Sequence, residues 1–201
     1  MQTKQERMIS IMREILQEDY LSIHINSFTA REEFDAQRSQ MSCALELADG
    51  RSLAIEGEGV GTIDALFNGL KDRLADDFPS LRSIEFAEFS VRGLISSEQV
   101  SRHQGARAEA EATVGILNSS GRPFTFKATA ASFSRAGVLA TIRAAEYFIN
   151  SERTFLRLNE ILAHYRAEKR TDLVQKYTSL IAEVVENTSY SELVERAKAS
   201  L

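Results

Sequence analysis

The chain has 201 residues, of which 43% are hydrophobic and 26% charged, so it can bury a sizeable core as an ordinary soluble globular protein. Its formal net charge of −5 argues against a broad phosphate-binding surface, and therefore against nucleic acid as a partner. The sequence contains neither a membrane span of about 20 apolar residues nor a signal-peptide apolar region, so we expect no membrane association and a cytoplasmic location.

An amphipathic helix is predicted over residues 4–18, because apolar residues recur there at helical spacing, at Met8, Ile11, Met12 and Ile15. Alternating apolar residues then predict three strands, in "YLSIHINSF", "MSCALEL" and "RSLAIE", the last two joined by a hairpin at Asp49 and Gly50. A second helix follows, with an apolar stripe at Ile63, Leu66, Phe67, Leu70 and Leu74. Pro79 prevents this helix from continuing.

The same order of elements begins again after this proline. "RSIEFAEFSV" is a predicted strand in which the apolar parity shifts between Phe86 and Phe89, and that shift indicates a β-bulge. "ARAEAEATVGIL" and "PFTFKATA" alternate on either side of the turn "NSSG" and predict a hairpin. A helix from about Gly137 to Asn150 completes the second half.

Two landmarks recur at nearly the same distance along the chain. The turn glycines Gly50 and Gly121 lie 71 positions apart, and the loop-to-helix junctions at Asp64 and Ala136 lie 72 apart. Together they indicate an internal duplication. We therefore predict an α+β fold in which strand-strand-strand-helix units are duplicated and flanked by helices. Its predicted parts are an N-terminal helix (1–18), a duplicated domain (19–150, with repeats at about 19–78 and 79–150) and a C-terminal helical appendage (151–201).

The appendage shows helical apolar spacing throughout. Its two stripes comprise Phe155, Leu158, Leu162 and Tyr165, and then Leu173, Tyr177, Leu180, Ile181 and Val184. The segment "SYSE", from Ser189 to Glu192, fits a capping box for a short last helix. Two or three C-terminal helices are predicted, and packing against the domain is favoured over binding a partner.

The stretch "AIEGEGVGTIDALFNGL" places three glycines between a predicted strand and a predicted helix, where an anion often approaches the backbone. The dinucleotide pattern G-x-G-x-x-G is not met, because its sixth position is Thr62 counted from Gly57 and Asp64 counted from Gly59. The order of elements also differs from a dinucleotide-binding fold, since three paired strands precede each helix. No Gly-Lys-Ser/Thr motif is present, which excludes a phosphate loop of the nucleotide-hydrolase kind.

Within that stretch, "GVGTIDALFNGL" resembles the Gly-x-Gly-Pro-Val-Asp-Ala loop of the C-terminal regulatory domain of 2-isopropylmalate synthase and citramalate synthase. The matching positions are Gly59, Gly61, Thr62, Ile63, Asp64 and Ala65. In the second half, "SRAGVLATIRAAEYFIN" is similar to a helix of the same family through Ser134, Val138, Ala140, Thr141, Ala144 and Asn150. The resemblance covers about residues 19–150. It implies two units paired about a pseudo-twofold axis, a homodimer, and leucine or isoleucine bound between the units as a feedback inhibitor.

The sequence departs from the family pattern at two positions: Thr62 stands where the family usually has proline, and Ala136 where it usually has aspartate. On this resemblance the ligand-binding residues are Gly59, Gly61, Thr62, Ile63, Asp64, Ala65, Ser134, Ala136 and Val138. Amides at a helix N-terminus suit the carboxylate of an amino acid. Asp64 is the candidate for its ammonium, and Ile63 with Ala65 or Val138 for its branched side chain. The alternative is that Asp64 only caps the helix and that the glycines only serve a tight turn.

No catalytic set is evident from the spacing of reactive residues. The synthases of this family use a (β/α)₈ barrel with a metal site, and such a barrel needs about 250 residues. No partner at metal-ligand spacing stands out for His24, His103 or His164, which are expected to be polar surface residues, and Cys43 is expected to be buried and inert. The glutamates of "EAEA", from Glu109 to Ala112, are expected to face solvent.

We therefore expect a non-catalytic module without metal or cofactor that forms homodimers and senses a branched-chain amino acid or a related carboxylate. The alternative from another class is a structural or adaptor protein that contacts a separate synthase subunit through its C-terminal helices.

Overall fold

The structure is a computed structural model that describes residues 3–94 and 109–186. Within these ranges the chain forms four α-helices and two three-stranded antiparallel sheets, which confirms the predicted α+β class. The helices are α1 (Lys4–Leu16), α2 (Thr62–Leu74), α3 (Phe133–Ala167) and α4 (Thr171–Glu186). The strands are β1 (Ile23–Glu33), β2 (Arg38–Leu47), β3 (Ser52–Gly59), β4 (Glu85–Leu94), β5 (Glu109–Leu117) and β6 (Pro123–Ala130).

The first unit is a sheet of order β1-β2-β3 against which α2 packs. Alternate residues of β2 are buried in the core, as the sequence predicts: Met41, Cys43, Leu45 and Leu47. The hairpin that joins β2 to β3 turns at Gly50, whose φ of 83° lies in the left-handed region that favours glycine. The predicted apolar stripe of α2 is buried in full, at Ile63, Leu66, Phe67, Leu70 and Leu74.

The second unit has the order β4-β5-β6 and packs against α3. The predicted bulge in β4 is confirmed, because the β4–β5 register shifts between Phe86 and Glu88. The β1–β2 register shifts in the same way between Ile25 and Ser27. The two units therefore agree down to the irregularity in their first strands.

The strand pairing also repeats at a constant interval. Ser39 lies opposite Gly59 in the first hairpin and Ala110 opposite Ala130 in the second, so both partners are displaced by 71 positions. Gly121 turns the second hairpin with a φ of 74°. The predicted duplication, with its roughly repeated units, therefore agrees with the structure.

The helix starts keep the same interval, and this corrects the predicted offset of 72. The N-cap residues are Gly61 and Ser132, and their carbonyl oxygens accept from the amides of Ala65 and Ala136 respectively. Ala136 therefore corresponds to Ala65, and the counterpart of Asp64 is Arg135. The sequence misplaced the junction because no residue identity marks where the second helix begins.

The segment around α1 attaches the N-terminus to the second unit. α1 begins with the capping box of Thr3 and Glu6, in which each side chain accepts from the other residue's backbone amide. The helix packs against α3 through Met8, Ile11, Met12 and Leu16. Behind it, the buried side chain of Asn150 accepts from the Leu21 amide and donates to the Leu21 carbonyl oxygen, both at 2.7 Å. The start of β1 is thus fixed to α3.

α3 is longer than predicted, since it continues past Asn150 to Ala167 without a break. No glycine or proline occurs between Val138 and Ala167 to end it. Its buried face also continues, at Thr154, Phe155, Leu158 and Leu162. The division of the chain between residues 150 and 151 stays a prediction.

α4 packs back against the later part of α3, and the rings of Tyr165 and Tyr177 stack with centroids 5.5 Å apart. The predicted capping box at Ser189–Glu192, and His103, lie outside the described residues. None of the described helices has the combination of length and apolar character that crossing a membrane requires.

Candidate functional site

Two glycines of β3 allow the strand to lie very close to α2. A Cβ built on Gly57 would lie 2.9 Å from the amide nitrogen of Gly69, and closer still to the carbonyl oxygen of Ala65. A Cβ on Gly59 would lie 2.7 Å from the amide nitrogen of Ala65. Real Cβ atoms do not approach backbone atoms so closely, so both positions need glycine for packing between strand and helix.

The third glycine, Gly61, has a different environment. It is the N-cap of α2 with an extended backbone, and a Cβ there would meet nothing within 4 Å. Because glycine has no side chain, the first turn of α2 receives no side-chain cap. At the equivalent position of α3, the hydroxyl of Ser132 accepts from the Arg135 amide at 3.2 Å. The two helix starts therefore differ: a side-chain oxygen accepts from a first-turn amide in α3, whereas no side chain does so in α2.

Side chains of the first turn of α2 hold the loop that precedes it. Asp64 Oδ2 accepts from the Val60 amide at 3.0 Å, and the Thr62 hydroxyl donates to Glu32 Oε1 at 2.6 Å. The Asp64 carboxylate also lies where the positive end of the helix dipole favours it. These contacts match the alternative in which Asp64 stabilises the helix start. Only one oxygen of its carboxylate is used among the hydrogen bonds of the described residues.

The two loop-to-helix junctions meet in the interior. A Cβ on Gly137, in the first turns of α3, would lie 2.7 Å from Cδ1 of Ile63 and 3.1 Å from Cζ of Phe89. Ile63 and Val138 are only 6% and 5% exposed. The N-terminal turns of α2 and α3 therefore contact each other through an isoleucine on one helix and a glycine on the other.

The predicted site residues fall into two groups. Ala65 and Ala136 are fully buried at equivalent positions of their helices, whereas Ser134 is exposed. Gly59, Gly61, Thr62, Ile63 and Asp64 surround the start of α2, and Val138 lies one residue beyond the glycine that Ile63 contacts. Their role as ligand contacts stays a prediction.

Two residues of this region, Phe89 and Glu32, were not predicted from the sequence. The bulge in β4 was a signal for Phe89. After the bulge the alternation of β4 changes by one residue, so Phe89 faces the helix side of its sheet, as does its partner Val114, which is buried. Glu32 follows no apolar pattern and offered no such signal.

Reactive side chains elsewhere are dispersed. Among the residues that the structure describes, no three His, Cys, Asp or Glu side chains group as metal ligands. Burial raises the pKa of the Cys43 thiol, which favours its unreactive protonated form. His164 lies at the exposed end of α3, with Nε2 3.4 Å from the carboxylate of Glu168.

A family model described as the LeuA allosteric (dimerisation) domain matches residues 2–149, which is most of the chain and includes both units. No curated protein matches the sequence significantly.

Proposed function

The chain belongs to the LeuA allosteric (dimerisation) domain family, and from that premise we propose that this regulatory dimerisation module forms homodimers and senses a branched-chain amino acid. The observation that carries the proposal is the contact between Ile63 and Gly137, which joins the two equivalent loop-to-helix junctions. A ligand bound there would contact both units and could change how they pack.

The chemistry of this junction supports an α-amino acid. The uncapped amides of the first turn of α2 would hold its carboxylate, and Gly61 leaves the approach open. The Asp64 oxygen that is not bonded to Val60 would accept from the ammonium. Ile63 and Val138 would contact a branched apolar side chain.

Thermal unfolding with leucine, isoleucine, valine and their 2-oxo acids tests this proposal. A ligand at a hundredfold excess over its Kd raises the free energy of unfolding by about 2.7 kcal/mol, which corresponds to a rise in Tm of about 5–11 °C for a protein of this size. We expect Asp64→Ala to abolish the shift and Asp72→Ala, an exposed position on the same helix, to retain it. If no compound of this panel changes the Tm of the wild type, sensing of branched-chain amino acids is excluded.

Exposed apolar side chains support the location of the dimer contact. The described residues include eight large hydrophobic side chains that are exposed, and six of them lie at the end where both helices begin: Phe34, Val60, Phe89, Val91, Leu94 and Phe133. The strand pairing explains this grouping, because the start of β2 lies beside the end of β3 and the end of β4 lies near the end of β6. Phe34 and Val60 are 86% and 83% exposed. Such a patch is typical of a surface that another protein covers.

The oligomeric state of charged variants tests that surface. We expect Val60→Asp and Phe133→Asp to convert the dimer to a monomer in analytical ultracentrifugation, because each would bury a carboxylate in an apolar interface. Leu156→Asp is the matched control, since Leu156 is 45% exposed on the later part of α3. If Leu156→Asp is monomeric while Val60→Asp and Phe133→Asp remain dimeric, the dimer interface lies at the C-terminal helices instead.

A second candidate function, a structural or adaptor module without a ligand, is favoured by the packing of the glycine stretch. Gly57 and Gly59 are required by the closeness of β3 to α2, and Asp64 is used by the Val60 amide. Both features exist without any bound molecule. A wild-type protein that is dimeric and unresponsive to the whole panel would support this candidate, with a separate synthase subunit as the expected partner.

A further inference from the structure

A cleft of about 640 Å³ lies between α1, β6 and α3, away from the junction described above. Its walls include Ile9, Arg13 and Tyr20 on one side and Phe126, Arg143 and Tyr147 on the other. Small-molecule sites in proteins commonly have volumes of about 300–1,000 Å³ and combine apolar walls with a few polar groups. The cleft fits that description in both size and composition.

The floor of the cleft is aromatic. Phe126 and Tyr147 are nearly buried, and their rings meet edge to face with centroids 5.4 Å apart. Ile9 and Tyr20, both partly buried, complete the apolar surface. A flat or branched apolar group would gain contact with these side chains.

Two guanidinium groups lie at the rim, and both are held by uncharged partners. Arg143 donates from Nη1 to the carbonyl oxygen of Lys127. The guanidinium of Arg13 lies 4.6 Å from the centroid of the Tyr20 ring, in a cation–π contact. Neither arginine forms an ion pair with a carboxylate of the described residues. Both positive charges are therefore fixed in position without a carboxylate in contact.

The two carboxylates of the cleft, by contrast, already accept hydrogen bonds. Glu146 Oε1 accepts from the Ile23 amide and Glu6 Oε2 from the Thr3 amide, both at 2.7 Å. Burial raises the pKa of Glu146, while Arg143 and Arg13 act in the opposite direction. An incoming carboxylate therefore meets two guanidinium groups with unused N–H donors, whereas each cleft glutamate already has one oxygen bonded to a backbone amide.

We propose that this cleft binds a small organic acid with an aromatic or branched apolar body. The carboxylate lies between Arg13 and Arg143, where charge-assisted hydrogen bonds from guanidinium groups are strong. The apolar body lies on Phe126, Tyr147 and Ile9. This is a second site, independent of the proposed ligand site at the helix junctions.

Phenylacetate and its neutral isostere phenylacetamide are the probes that test the charge requirement. In calorimetric titration of the full chain we expect phenylacetate to bind at least about tenfold more tightly than phenylacetamide, because hydrogen bonds between two charged groups are stronger than those to a neutral amide. Arg13→Gln and Arg143→Gln should each weaken phenylacetate about tenfold. Arg157→Gln, which removes an exposed arginine on the later part of α3, should leave binding unchanged.

NMR locates the bound probe. Phenylacetate should shift the methyl signals of Ile9 and leave those of Leu156 in place. The affinities of Arg13→Gln, Arg143→Gln and Arg157→Gln are compared at an unchanged Tm, which shows that each variant is folded. The proposal is overturned if phenylacetate does not bind, if both probes bind equally, or if Arg13→Gln and Arg143→Gln bind as the wild type does. Asp64→Ala should not affect this binding, so failure here and failure of the proposed sensing function are separate results.

Discussion

Replacing Gly57 with alanine tests whether the glycine stretch serves packing. The new Cβ would meet backbone atoms on two sides, the carbonyl oxygen of Ala65 and the amide nitrogen of Gly69 at 2.9 Å. Backbone atoms of a packed helix cannot move aside as the end of a flexible side chain can. The variant must therefore separate β3 from α2 or distort one of them.

The expected cost follows from two opposing effects. Overpacking a well-packed interior costs about 1–3 kcal/mol, and two backbone contacts place this substitution near about 3 kcal/mol. Alanine also reduces the entropy of the unfolded chain relative to glycine, which offsets about 0.4–1 kcal/mol. The net loss in free energy of unfolding is about 2 kcal/mol, or a fall in Tm of about 4–8 °C for a protein of this size.

Urea unfolding followed by circular dichroism measures this loss, with Gly93→Ala as the matched control. Gly93 is also in a strand, but a Cβ there would meet nothing within 4 Å. We expect the control to be as stable as the wild type or slightly more stable. If the free energy of unfolding of Gly57→Ala lies within about 0.5 kcal/mol of the control, the usual range for a substitution that disturbs no packing, close packing is not the reason for this glycine.

Three further predictions concern buried polar groups. Asn150→Ala should lower the free energy of unfolding by about 2–4 kcal/mol in urea titration, because it leaves the buried amide and carbonyl of Leu21 without their partner; a loss below about 1 kcal/mol would contradict this role. Burial raises the pKa of Glu152, so the folded protein binds more protons than the unfolded chain, and stability should fall as pH rises from about 4.5 toward the raised pKa. Glu152→Gln keeps an oxygen for the Ser80 amide, and it should remove this part of the pH dependence; an unchanged profile would contradict the assignment. Cys43 should react with a thiol reagent only as fast as the protein unfolds, because its side chain is buried out of reach of the reagent, and burial also raises the pKa of its thiol; rapid labelling of the folded protein would refute this.

Features set by short-range periodicity were predictable. The alternation in "MSCALEL" identified the buried face of β2, and the stripe of α2 proved to be buried throughout. The parity shift between Phe86 and Phe89 identified a bulge before any strand partner was known. These predictions succeeded because a strand or helix that buries one face must repeat its apolar residues at the period of its backbone.

Predictions that depended on where an element ends were less successful. The helix expected to stop at Asn150 continues to Ala167, since the same apolar period serves both the contact with the sheet and the contact with α4. The predicted junction before α3 was wrong by one residue, because the counterpart of Asp64 is Arg135 and not Ala136. Ser132, the true N-cap of α3, is one of two serines near the helix start, the other being Ser134, and composition does not distinguish between them.

The sequence by itself determined the α+β class, the duplication and the buried faces of β2 and α2, because each depends on spacing along the chain. Only the tertiary structure decided that Gly57 lets β3 lie close against α2, that Ile63 meets Gly137, and that Arg13 and Arg143 share a cleft. These contacts join residues from different elements, and their geometry depends on how the side chains of whole layers fill space together. A periodic pattern states which face is buried but not what lies against it.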